Sequence, residues 1–183
     1  ERELRARLEE DRPLSVYCGY DPTSVDLTLR GRNLDGSERM ALRVAPDAPL
    51  GRQDVRAKTP RGFSNPLPFE ASDLPDFNEA EPNNDRDKAN AVAVPVAING
   101  RIGDKGDTDV FRMKAAADQR LVIEVKARAF GSPLDALLAL SDAAGNLIQQ
   151  NDDASGPDAR IEFDAKKDTE YLLTVRDLTD RGG

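Results

Sequence analysis

Residues 120–127 read RLVIEVKA. In an extended chain successive side chains point to opposite faces, so Leu121, Ile123 and Val125 share one side. That is the pattern of a half-buried strand. EYLLTVRD, residues 170–177, repeats it through Tyr171, Leu173 and Val175. Further short runs lie between and before them: AVAVPVAI (91–98), DVFRMKA (109–115), DALLALSD (135–142), NLIQQ (146–150) and ARIEFDA (159–165). The apolar run of DALLALSD would also suit a helical turn, but its length and the AAGN turn after it favour a buried strand. GDKGDTD, DAAGN, NDDASGPD and KKD separate the runs with turn residues. Short strands at regular spacing predict an all-β sandwich or jelly roll.

Toward the N-terminus, SVDLTLR alternates through Val25, Leu27 and Leu29, and RMALRV through Met40, Leu42 and Val44. Turn-rich stretches, GRNLDGS and APDAPLG, follow each run, so these are also predicted strands. SNPLPFEA reads as an edge strand, because proline has no N–H for an inner ladder. The first stretch, ERELRARLEEDR, spaces Leu4 and Leu8 as a helix would, among charges; it reads as a solvated upstream segment. Prolines recur at 60, 66, 68, 75 and 82, and SDLPDFNEAEPNND has the composition of an acidic interdomain linker. The predicted division is an upstream segment (1–12), a first β-domain (13–72), a linker (73–77) and a second β-domain (78–183).

The 183 residues suit one large domain or two small ones. A net charge of −8 argues against nucleic acid, whose binding rests on Lys and Arg contacts to phosphate. The chain has no histidine and one cysteine, Cys18. A Ser-His-Asp triad, a Cys-His pair, an HExxH zinc helix and a CxxC knuckle are therefore excluded within it. No Ser-x-x-Lys motif occurs either. Cys18, in SVYCGY, reads as a buried thiol without a basic neighbour to activate it. No apolar run is long enough for a membrane span.

Three places concentrate oxygen-bearing side chains: Glu79, Glu81, Asn83, Asn84 and Asp85; Asp104, Asp107 and Asp109; and Asn151, Asp152, Asp153 and Asp158. Calcium takes six to eight oxygen ligands in flexible geometry, and loops at one end of a sandwich can supply them. Pro82 restricts Glu81 to extended backbone, and Gly103 and Gly106 let the second loop bend closely. The spacing is not that of an EF-hand. Each cluster taken alone also fits a solvated turn, since Asp and Asn bond their own backbone.

From about residue 78 the chain resembles the bacterial prepeptidase C-terminal (PPC) domain. The motifs, in order, are EAEPNND, GRIGDKGDTDVFRMKA, GSPLDALLALSDAAGNLIQQNDD and ARIEFDAKKDTEYLLTVRD. The resemblance implies a jelly-roll-type β-sandwich of an exported protein, similar also to the collagen-binding domains of clostridial collagenases. It implies calcium held by Glu79, Glu81, Asn83 and Asn84, with Asp104, Asp107 and Asp109. Asn84 stands where the family commonly has aspartate, so Asp85 is a candidate substitute. The family pattern continues through a final strand, so the 78–183 domain is expected to be truncated. Before it, LTLRGRNLDG and VAPDAPLGRQDVRAKTPRGFSNPLPF resemble the immunoglobulin-like IPT/TIG domain, in partial form.

These readings together predict a non-catalytic, calcium-stabilised accessory module of a secreted, periplasmic or cell-surface bacterial protein, aiding secretion, stability or surface attachment. Its partners would be other domains of the same polypeptide, such as a peptidase. The alternative is a carbohydrate- or collagen-binding domain of a secreted hydrolase, with extracellular matrix or polysaccharide as partner. Such surfaces rely on exposed aromatics, and the chain has no Trp, three Tyr and six Phe. A carboxylate-based glycosidase would need a defined acid pair, and none stands out.

Overall fold

The structure, a computed structural model, describes residues 3–5, 15–16, 24–30, 38–43, 48–59, 62–63, 66–103, 105–153 and 156–179. The chain divides into two compact units, Glu1–Asp73 and Leu74–Gly183.

The described strands of the first unit are β1 (Glu3–Arg5), β2 (Ser15–Val16), β3 (Ser24–Arg30), β4 (Glu38–Arg43), β5 (Gly51–Val55), β6 (Ala57–Thr59), β7 (Gly62–Phe63) and β8 (Leu67–Ala71). SVDLTLR is β3 in full, and it pairs antiparallel with β4, Val25 opposite Leu42 and Leu27 opposite Met40. Among the described residues β8, the latter part of SNPLPFEA, pairs with β5 alone in a two-stranded sheet. Tyr17, Cys18, Tyr20 and Val44 lie outside the described residues. One expectation is corrected. Glu3–Arg5 is not helical but extended, pairing parallel with Thr28–Arg30 of β3. A free strand edge satisfies backbone groups that two leucines among charges cannot satisfy as an isolated helix.

The second unit begins with another correction. Residues 73–77, predicted as a linker, run into β9 (Asp76–Asn78), which pairs parallel with β11 (Ala97–Asn99). Phe77 is the apolar anchor in this acidic stretch and packs against the core. AVAVPVAI also differs from its predicted single strand. It splits into β10 (Asn90–Ala93) and β11, which join different sheets. Pro95 sits in the break, where its missing N–H costs no ladder bond.

The remaining strands fall close to prediction: β12 (Thr108–Lys114), β13 (Gln119–Glu124), β14 (Ala136–Asp142), β15 (Leu147–Asn151), β16 (Arg160–Ala165) and β17 (Glu170–Asp177). DALLALSD is a strand, β14. One sheet runs β10-β12-β17-β14-β15, antiparallel except for the β10–β12 edge. The second layer is made of the β13–β16 and β9–β11 pairs. Between the layers Phe111, Met113, Leu138, Leu140 and Leu173 of the large sheet meet Ile161 and Phe163 of β16. Leu121, Ile123 and Val125 pack against the same core, while Val122 on the opposite side is 49% exposed. The Phe163 and Tyr171 rings meet edge-to-face at 5.0 Å, tying the layers together. This is a β-sandwich.

The outer face of β13–β16 carries charge instead. Arg120 bonds Glu162 at 2.7 Å, and Arg160 bonds Glu124 at 2.7 Å. The Arg120 guanidinium, followed by the Arg160 charge, holds the Glu162 carboxyl below its ordinary value. These pairs are solvated and individually contribute little to stability.

Candidate metal centre

The opening segment of the second unit is fixed by backbone bonds to strands on both layers. Glu79 N–H donates to the Asn99 carbonyl at 3.0 Å, and Val110 N–H of β12 donates to the Asn83 carbonyl at 3.0 Å. Between them, Ala80 is held at both backbone groups by one side chain. Its N–H donates to Asn90 Oδ1 at 2.7 Å, and Asn90 Nδ2 donates to its carbonyl at 2.9 Å. Asn90 was not distinguishable in the sequence, because a lone Asn at a strand start carries no spacing signal. Asn90→Ala removes both bonds and is expected to lower stability by about 1 kcal/mol. Urea unfolding followed at the second unit measures this directly.

Glu81, Asp107 and Asp109 converge, each offering an oxygen within 4.8 Å of the others. Glu81 is exposed, Asp107 half-buried and Asp109 buried. Asn83 is fully buried beside them. Its amide faces Glu81 and Asp109: with nitrogen turned inward it donates to Glu81 Oε2 at 2.9 Å and Asp109 Oδ1 at 3.2 Å. With oxygen turned inward, the same amide is one more ligand for a cation. Glu79 is half-buried. Its Oε1 accepts the Arg101 N–H, while its Oε2 is buried and meets no N–H donor. Gly100 makes room for it, since a Cβ there would lie 2.7 Å from that oxygen.

Asn84 plays a supporting part. Its Nδ2 donates to Asp107 Oδ1 at 2.8 Å, so the amide orients a carboxylate. Asp107 also accepts the N–H groups of Gly103 at 2.5 Å and Thr108 at 3.0 Å. Asp104 lies outside the described residues. Asp85 pairs with Lys88 at 3.5 Å.

The third oxygen cluster serves the backbone. Asp158 accepts the N–H groups of Arg128 at 2.7 Å and Ala129 at 2.9 Å, and Asn151 Oδ1 accepts that of Arg160 at 2.9 Å. Asp152 accepts the Asp153 N–H at 2.9 Å.

Crowding has an electrostatic consequence. The Asp109 carboxyl is pushed up to about 8, first by burial, then by its hydrogen bond to Glu79 and by the charges of Glu79, Asp107 and Glu81. Without a cation the folded chain keeps a proton that the unfolded chain has already released. Between the ordinary aspartate value and about 8 the native state binds more protons, so stability falls as pH rises. In EDTA the melting temperature is expected to decline from about pH 5 to about pH 8, and Asp109→Asn to flatten the slope. A pH series of thermal melts on both proteins checks it.

The donors suit a hard cation. All are oxygens, several are anionic, and one buried oxygen meets no N–H donor. No helix among the described residues is long and apolar enough to cross a membrane.

The family model of the bacterial pre-peptidase C-terminal domain matches residues 107–177, within the second unit. A probable subtilase-type serine protease of Deinococcus radiodurans is 33% identical over 108 residues, 57% of this chain. The chain spans only 15% of that relative's length. The crystal structure of the pre-peptidase C-terminal domain of a collagenase from Bacillus anthracis is similar at 22% identity. That likeness covers 57% of this chain and 93% of the other, with a TM-score of 0.44.

Proposed function

We propose that the second unit is a non-catalytic accessory module of an exported, multidomain peptidase-like protein, and that its oxygen cluster takes calcium. The observation that carries this reading is the convergence of Glu81, Asp107 and Asp109 around buried Asn83, beside a buried Glu79 oxygen that meets no N–H donor. Glu79, Glu81, Asn83 and the two aspartates would hold the ion, with Asn84 orienting Asp107. Calcium would neutralise carboxylates that otherwise repel, and so stabilise the start of the domain. The similarity to a subtilase-type protease supports a place beside a peptidase in one polypeptide. Extracellular calcium modules bind at about 10⁻⁴ to 10⁻³ M, which suits a constitutive structural ion outside the cell.

Among the described residues nothing favours the carbohydrate- or collagen-binding alternative. Tyr171 and Phe163 are buried against each other in the core, and the Tyr171 hydroxyl accepts the Lys166 N–H at 2.9 Å. The deciding experiment is calcium titration of the full chain by calorimetry, with magnesium as control. Absence of calcium heat at millimolar concentration, together with unchanged melting, would sink the metal reading.

A further inference from the structure

The segment that carries Glu81, Asn83 and Asn84 does not end at the oxygen cluster. It continues into the short turn Arg86–Lys88, which is tied to the outer face of the large sheet. Arg112 of β12 donates from Nη2 to the Arg86 carbonyl at 2.6 Å. The Arg86 side chain then reaches away from β12. Its Nη1 donates to the carbonyls of Ala144 at 2.7 Å and Ala143 at 3.3 Å, in the turn joining β14 to β15.

The strand register gives the path. Arg112 lies opposite Leu172 of β17, and Leu172 lies opposite Ser141 of β14. All three face away from the sandwich core, whose large-sheet members are their neighbours Phe111, Met113, Tyr171, Leu173 and Leu140. A side chain with its backbone bonded to Arg112 and its guanidinium bonded just beyond Ser141 must cross this row. Leu172 at its centre is only 3% exposed, although it lies on the outer face. The turn at the far end is closed by its own hydrogen bonds. Asp142 Oδ1 accepts the N–H groups of Ala144 at 2.9 Å and Asn146 at 2.8 Å, and Asp142 Oδ2 accepts Asn146 Nδ2 at 2.8 Å. These bonds, the Asn146 side chain first, hold the Asp142 carboxyl below its ordinary value.

We infer that Arg86 is a positioning residue, a strap that couples the oxygen cluster to the β14–β15 turn. The inference rests on the calcium reading above and deepens it. The cation orders the segment from Glu79 to Asn84, and Arg86 anchors the segment's far flank on a preformed turn. Such coupling is reciprocal: the ion steadies the turn, and the turn raises affinity for the ion.

The test uses the full chain, calcium chloride, and the variants Arg86→Ala, Asp142→Ala and the double variant. Calcium affinity is measured by calorimetry, and amide exchange is followed at Ala144, Gly145 and Asn146. In wild type, calcium is expected to slow exchange at these three amides. Arg86→Ala is expected to weaken calcium by roughly three- to tenfold, the range of one ordinary solvent-exposed hydrogen bond. It should also erase the calcium dependence of exchange in the turn. Asp142→Ala should weaken calcium too, and the double variant by less than the product of the two single effects. Wild-type calcium binding with an unchanged Arg86→Ala affinity and an unchanged exchange response overturns the strap while leaving the calcium reading intact. A wild type that binds no calcium overturns both.

Discussion

Calcium at about 5 mM is expected to raise the melting temperature of the second unit by roughly 10 °C over EDTA, and magnesium by far less. A ligand that binds only the folded state stabilises by RT ln(1 + [L]/Kd), which for a Kd of about 10⁻⁴ M gives about 2.3 kcal/mol. Magnesium demands near-octahedral geometry and gives up water reluctantly, whereas this cluster is irregular and spread along two loops. Two aspartates of the cluster are expected to respond differently. Asp109→Ala removes a buried ligand, so the calcium shift should vanish. The same change also removes a carboxyl crowded by Glu79, Asp107 and Glu81. Its melting temperature in EDTA should therefore stay close to that of wild type. Asp107 accepts bonds from Asn84, Gly103 and Thr108 as well. Asp107→Ala should lose the calcium shift and melt lower even in EDTA. Thermal melts of the three proteins with and without calcium separate these cases. A full calcium shift in Asp109→Ala would place the ion elsewhere.

The alternation of RLVIEV and YLLTV was enough to predict strands, because in a two-layer sandwich every second side chain must enter the core. Leu121 and Ile123 on one side and Val122 on the other follow that rule in the structure. What escaped depends on contacts between distant residues. Glu3–Arg5 has no strand pattern of its own and is extended because the edge of β3 accepts it. The corner at Pro95 divides one apolar run between two sheets, a decision made by pairing partners and not by hydropathy. The oxygen groups show the same limit. The extended backbone before Pro82 and the glycines at 103 and 106 allowed these carboxylates a shared place. Nothing local distinguished them from Asp158, whose carboxylate instead caps two backbone N–H groups. Asn90 and Arg86 each act through a pair of bonds to one distant turn or segment and leave no sequence period to detect.

Leu140→Ala is expected to cost the second unit about 3 kcal/mol, while Leu147→Ala, across the turn in the same hairpin, should cost no more than about 0.5 kcal/mol. Leu140 has no exposed surface and lies opposite Leu173 at the centre of the large sheet. Truncation there leaves a cavity that the rigid strands on either side cannot close, so the lost contacts add to the lost burial. Leu147 is 57% exposed on the edge strand β15 and lies opposite Ser141. Little of its surface leaves water on folding, and solvent fills the space that truncation opens. Because the chain holds two units, a single global unfolding free energy is not well defined. The effect is better read as amide exchange within β17, where Leu173 reports opening of the second unit alone. Leu140→Ala should speed that exchange by about two orders of magnitude, and Leu147→Ala by less than about threefold. Equal effects from the two leucines would mean that β14 and β17 do not form the centre of the sandwich, and the layer assignment would fail with them.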